Sequence, residues 1–361
     1  MSAITVNPVH PNPNDSIRST WRRQDRSQWS IYHWIYEWGD LHAIDLDRKV
    51  PVFAKNDKIP YIPDWYLQRF IIFYSALPLI VHQIFTHFSG MNFHPVVAYI
   101  YYYFAGRFFL SREILTMREL GHTYGFLDGD KHERDGVPDV GVKKALLSIM
   151  MAAMGRPLMT VLLTYNANEA PMSSINWKSL PIEAILYGII LDFWFYWYHR
   201  IMHEVNGLWK YHRTHHLTKH PNPLLTIYAD HEQEFFDIWG IPLMTFFSMK
   251  FMGLPMGFYE WIICQNYVVF SEIAGHSGLR VHAATPNLTT WLMRMFNAEL
   301  VIEDHDMHHR RGWKNSFNYG KQTRIWDRIF GTCAPRIESV NDNVDYSHPV
   351  PFPLFGVKVR A

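Results

Sequence analysis

The chain has 361 residues and a formal net charge of +1 with histidine neutral. That is enough for one large domain or two modest ones, and too balanced in charge to build the field a nucleic-acid partner requires. Its two cysteines, Cys264 and Cys333, exclude a disulfide framework and a thiolate-rich metal site and suggest two unpaired thiols in a reducing compartment.

Two totals are unusual. Aromatic residues make up 16% of the chain, and such rings favour membrane interfaces, where an apolar body and a polar edge are both accommodated. Histidine occurs 21 times, and twelve of these fall between His199 and His309.

Residues 1–64 are polar and proline-containing, lack the apolar core of a secretory signal, and are expected to form a soluble lead-in. Residues 70–88 carry no acidic or basic charge and residues 93–110 only Arg107; each approaches the roughly 20 residues that cross a bilayer core. A charged stretch over 112–144 is expected outside the membrane. Residues 145–165, broken by Gly155, Arg156 and Pro157, form a third apolar run, and 182–198 a fourth that leads into the first histidine pair. Two shorter runs, 238–251 and 254–270, suit a re-entrant hairpin. A mean hydropathy of −0.14 suits a membrane base carrying a large polar cap. The competing expectation is a soluble helical protein with buried helices.

The histidines are spaced for metal binding. His199 and His203 stand at i and i+4, so one helix face presents both imidazoles. His212, His215 and His216 form an HxxHH triplet, and His305, His308 and His309 repeat it. Imidazole suits Zn, Cu, Fe and Ni, and eight ligands exceed what one tetrahedral ion takes, so two ions are expected. No carboxylate sits inside the clusters as a bridging hydrolytic ligand would, which points to O2 activation by a di-iron pair. His203-Glu204 and His231-Glu232 begin like HExxH, but Gly207 and Phe235 stand where the second histidine belongs, so the zinc-protease motif fails.

At these residues the sequence resembles the fatty acid hydroxylase/sterol desaturase superfamily. Asp192 to His203 is similar to the helix entering that family's first histidine box, Trp209 to His216 to the second, and Glu272 to Gly278 with Asp304 to His309 to the third. Asn318-Tyr319-Gly320 and Trp326 to Thr332 are similar to its closing segment. The resemblance covers roughly 180–335 and is closest in pattern to the sterol C4-methyl oxidase and C5-desaturase branches.

The resemblance implies an all-α integral membrane protein, with about four transmembrane helices and a cytosolic helical cap holding a histidine-rich di-metal site. The catalytic domain would run over 65–361, with its core at 180–335. Metal ligands would be His199, His203, His212, His215, His216, His276, His305, His308 and His309, holding two iron ions for which zinc can substitute in a preparation. O2 would be the oxidant, and electrons would come from NAD(P)H through a separate reductase or cytochrome b5. The setting would be multi-pass in the endoplasmic reticulum membrane, among membrane lipids.

His231 resembles a family histidine, with Glu232 in place of the usual proline, and is expected as a ligand or as a partner of one. Asp192, two turns before His199, is expected to hold the N–H of a ligand imidazole; Glu272, Asp304 and Asp306 are weaker candidates for that role. His220 and His282 match no box and are expected to be structural. Arg200 could pair with such a carboxylate. The expected reaction is hydroxylation, or further oxidation, of an unactivated C–H bond in a sterol-, lipid- or terpenoid-like substrate. The alternatives are desaturation and, in another class, a non-catalytic zinc-binding membrane protein on the same scaffold.

Overall fold

The computed structural model describes residues 12–131 and 133–355; the outermost parts of the expected lead-in and tail lie outside the described residues. Eight helices matter for the site: α1 (Ile31–Trp38), α2 (Asp64–Ser89), α3 (Pro95–Tyr124), α4 (Val142–Thr164), α5 (Leu180–Glu204), α6 (Ile241–Phe251), α7 (Phe258–His276) and α8 (Ile302–Arg311).

Three of them, α2, α4 and α5, are long and apolar enough to cross a membrane, and the chain is a membrane protein. The fourth expected span, 93–110, is the first half of α3. Tyr99, Tyr101, Tyr102, Tyr103 and Arg107 dilute its apolarity, and the second half carries Arg112, Glu113, Arg118 and Glu119, so α3 falls outside that set.

Helix α7 is the central element, packed against α2, α3, α4, α5 and α8. Its large buried side chains, among them Trp261 and Phe270, fill the space between the long helices. Helix α6 lies along α5, and residues 253–257 return the chain into α7, which α6 meets where Phe246 stacks on Trp261 at 4.2 Å. A π turn over Phe236–Gly240 precedes α6; such turns re-aim side chains near functional sites.

Residues 12–64 share the main core. Trp21, Trp29, Tyr36 and Ile59 are buried in one cluster with Phe70, Phe270 and Leu279. Among the described residues the all-α expectation holds apart from one small parallel pair, β1 (Ile59–Tyr61) with β2 (Val344–Pro349), which joins the segment before α2 to the segment after the histidine core. Cys264 and Cys333 are unpaired.

Candidate metal centre

Helix α5 buries one face over its full length: Ala184, Tyr187, Leu191 and Phe195 pack inward, and the same face ends in His199 and His203. The i, i+4 spacing thus carries two imidazoles from the apolar core into the polar cap. His212 closes a short helical turn, His215 and His216 open a 3₁₀ turn, and α8 supplies the last triplet.

These rings meet in two buried groups: His199, His203, His212, His216 and His308, then His215, His276, His305 and His309. Within each, one nitrogen per ring lies within 4.8 Å of all the others. Every i, i+4 pair stays together. The i+3 histidine of each triplet crosses over, His215 leaving the group of His212 and His216, and His308 leaving that of His305 and His309.

Most rings turn their other nitrogen outward. Nδ1 donates to a backbone carbonyl in His199 (Tyr319, 2.8 Å), His203 (Trp313, 2.7 Å), His276 (Glu272, 2.7 Å) and His308 (Phe317, 2.6 Å). His309 and His215 do the same to Thr218 (3.2 Å) and Tyr228 (3.4 Å). His212 Nδ1 donates to the side-chain oxygen of Gln233 at 2.9 Å, and Gln233 Nε2 donates to Asp237 at 3.2 Å. Each of these rings therefore presents a bare Nε2 to its group. Of the nine clustered rings, His216 and His305 have an Nδ1 without a partner, one ring in each group.

Burial holds the His215 imidazole down at about 3. Burial, with the neighbouring imidazoles adding to it, pushes His212, His216, His305, His308 and His309 well below the ordinary range. The rings are neutral, the form that binds a metal. Opposed Nε2 atoms stand 3.0 Å apart in His216–His308 and His276–His305, and 3.4 Å in His215–His276. Those separations match the edges of a coordination polyhedron with bonds of about 2.1 Å. Nε2 of His199, His203 and His309 has no hydrogen-bond partner, so the donor set fits a pair of metal ions.

Most other expected site residues act elsewhere. Asp192 does not touch an imidazole. It accepts from the amides of Lys321, Gln322 and Thr323 at 2.6, 2.9 and 3.1 Å and from the Thr323 hydroxyl at 2.7 Å. It thereby fixes the loop whose Tyr319 carbonyl holds His199; a side chain at Gly320 would collide with this cradle. Asp304 caps α8 through the Val301 amide and binds Arg336. Asp306 pairs with Arg134 at 2.6 Å and Arg310 at 3.0 Å. Glu272 holds His276 with its backbone carbonyl, while its carboxylate pairs with Arg156 at 3.0 Å. Arg200 pairs with Glu204.

His231 is 84% exposed at its side chain and joins neither group. His231 and Glu232 open that turn toward solvent, whereas Gln233 and Glu234 are buried and His231 Nδ1 contacts Glu234 at 3.1 Å. His220 contacts Asp128, and His282 is buried outside both groups. Sequence reasoning missed Gln233, Lys321 and the six carbonyls; every residue carries a carbonyl, so composition gives no signal for which will serve.

An apolar cavity runs between α2, α3, α4 and α7, and its inner wall includes Thr226, Ile227, Glu272 and Ile273. These adjoin Tyr228 and precede His276 by one turn, so the cavity ends beside the four-imidazole group.

The fatty acid hydroxylase family model matches residues 184–332. The fatty acid hydroxylase vlmA of a Lecanicillium species is 45% identical over 309 residues, 82% of this chain and 84% of that protein. The chain belongs to the fatty acid hydroxylase/sterol desaturase superfamily. Methylsterol monooxygenase 2-1 of Arabidopsis thaliana is 26% identical, over 68% of this chain and 90% of its own length. Alkylglycerol monooxygenase of Xenopus tropicalis is 27% identical, over 54% of this chain and 40% of its own. No solved structure matches. As a superfamily member the protein is an oxidative enzyme, and the matched segment contains all nine clustered histidines.

Proposed function

We propose that this protein is a membrane-bound monooxygenase in which nine histidines hold two iron ions and O2 hydroxylates a C–H bond of a lipid-class substrate. The observation that carries this reading is the pair of buried polyimidazole groups, with an apolar cavity whose lining reaches Glu272, one turn before His276. Bound there, an iron pair supplies the O2 chemistry that removes a hydrogen atom from an unactivated carbon.

The chain's own residues do the rest. Carbonyls and Gln233 fix the tautomer and direction of seven of the nine imidazoles, a role that supports metal affinity. The cavity wall keeps water from the reacting carbon. Desaturation uses the same ligands and differs in substrate placement. Electrons arrive from NAD(P)H through cytochrome b5 or a reductase, with the protein in the endoplasmic reticulum membrane.

Microsomes containing the protein, supplied with NADPH, heavy-isotope O2 and panels of lipids and sterols, test the reading. A hydroxylated product carrying the heavy oxygen, lost in His215→Ala, is expected. No oxidised product across the panels would overturn it.

A further inference from the structure

Helix α4 carries Arg156 in an otherwise apolar run, where a cation is costly unless it is paired or used. The side chain is 7% exposed and lines the cavity. Its Nη2 donates to the Glu272 carboxylate at 3.0 and 3.3 Å and to the Asp237 carbonyl at 3.4 Å. Its Nε is buried and has no partner. A buried N–H without an acceptor costs about 1–3 kcal/mol, so the guanidinium that lines this cavity has hydrogen-bonding capacity left for a ligand oxygen. Glu272 stands one turn before His276, which puts Arg156 at the metal end of the cavity.

Charge decides which oxygen fits. Glu272 already neutralises Arg156. Lys321 lies 3.8 Å from Glu272 and also faces Asp237, so two cations and two carboxyl groups cluster here, of which Arg156 and Glu272 line the cavity. Glu113 is fully buried near Glu272 with neither carboxyl oxygen bonded, and burial pushes its carboxyl well above the ordinary range, so it brings no cation that would offset a ligand carboxylate. An incoming carboxylate would meet Glu272 as a like-charged neighbour. An uncharged carbonyl oxygen accepts a hydrogen bond from the guanidinium without that repulsion.

We propose that Arg156 is a substrate-recognition residue that binds the uncharged carbonyl oxygen of an acyl chain in ester or thioester linkage. The substrate is then an acyl derivative and not the free acid. This rests on the preceding reading of the cavity as the substrate site.

Binding separates the two claims, because it requires no turnover. Purified full-length protein in detergent micelles, loaded with zinc, is titrated with labelled palmitic acid, its methyl ester and hexadecane. The ester is expected to bind about tenfold more tightly than the acid, the worth of one hydrogen bond to a charged donor. Arg156→Gln should reduce the ester to the affinity of hexadecane at unchanged zinc content. Glu272→Gln, which leaves the Arg156 charge unmatched, should move the preference toward the acid and serves if Arg156→Gln does not fold.

Equal or tighter binding of the acid by the wild-type protein overturns the proposal. So does an ester preference that survives Arg156→Gln, an unchanged preference in Glu272→Gln, or binding of none of the three probes. An ester bound through Arg156 but never oxidised by iron-loaded protein would leave the recognition site standing and remove the oxygenase reading.

Discussion

His216 Nε2 lies 3.0 Å from His308 Nε2, while His308 Nδ1 donates its proton to the Phe317 carbonyl at 2.6 Å. Four of the five rings in that group spend their N–H on an acceptor outside it, so His216 alone has a proton left for a space where five ring nitrogens converge. The second group repeats the arrangement with His305. Such a convergence of lone pairs is stabilised by a cation. Metal-free protein should unfold at lower temperature than protein saturated with ferrous iron or zinc. An ion present at a thousand times its Kd contributes about 4 kcal/mol per site. Thermal unfolding with and without chelator measures this, and coincident transitions would contradict it.

Asp192 is the hinge between α5 and the loop that holds His199. Asp192→Ala strips the acceptor from three buried amides and a hydroxyl, and should destabilise the protein by about 3 kcal/mol or more. It should also weaken metal binding about 10- to 100-fold, because the Tyr319 carbonyl loses its position. Denaturation and metal titration of the variant check both. A loss of stability with unchanged metal affinity would show that the loop does not position His199.

Much of the metal centre was legible because i, i+4 spacing fixes which face of a turn two side chains share. That rule explains why His199 with His203, His212 with His216 and His305 with His309 each stay in one group. It is silent on His215 and His308, whose exchange between groups depends on how α8 packs against α7 and the 212–216 turn. Asp192 was found by its oddity in an apolar run, yet its partner was misjudged: the loop it binds is more than a hundred residues away in sequence. Three apolar runs became helices suited to crossing a membrane, whereas the tyrosines and charged residues of α3 lower its apolarity. The burial of Trp21, Trp29 and Tyr36 was hidden because isolated aromatics between polar residues have no periodicity to follow.

His282 gives a pH dependence outside the metal centre. Burial, with the charges of Arg336 and Arg294 adding to it, pushes its imidazole down to about 4. The unfolded chain binds this proton near pH 6.5, so the contribution of neutral His282 is whole above that pH and is lost as pH falls toward 4. The loss is about 3 kcal/mol. Since the metal ligands titrate in both proteins, the comparison is wild type against His282→Leu. The stability difference should shift in favour of the variant as pH drops from 7 to 5, and a difference independent of pH would contradict the assignment.

Arg134 should matter through Asp306, which it meets at 2.6 Å with both side chains buried. Arg134→Met removes that partner and two bonds to the Pro221 carbonyl, leaving Arg310 to compensate Asp306 alone. A broken buried pair costs about 3–5 kcal/mol. Chemical denaturation should register that loss, whereas Arg213→Met, at the more exposed pair with Asp15, should cost about 1 kcal/mol or less. Equal losses in the two variants would contradict the difference in burial.

The proposed two-iron centre is built by histidine alone. Its most direct test is the metal content of protein purified anaerobically after loading with ferrous iron, counted per chain by mass spectrometry. Two irons per chain are expected, falling to one or none when His215 is replaced by Ala. One iron per chain in the wild-type protein, or two in the variant, would contradict it.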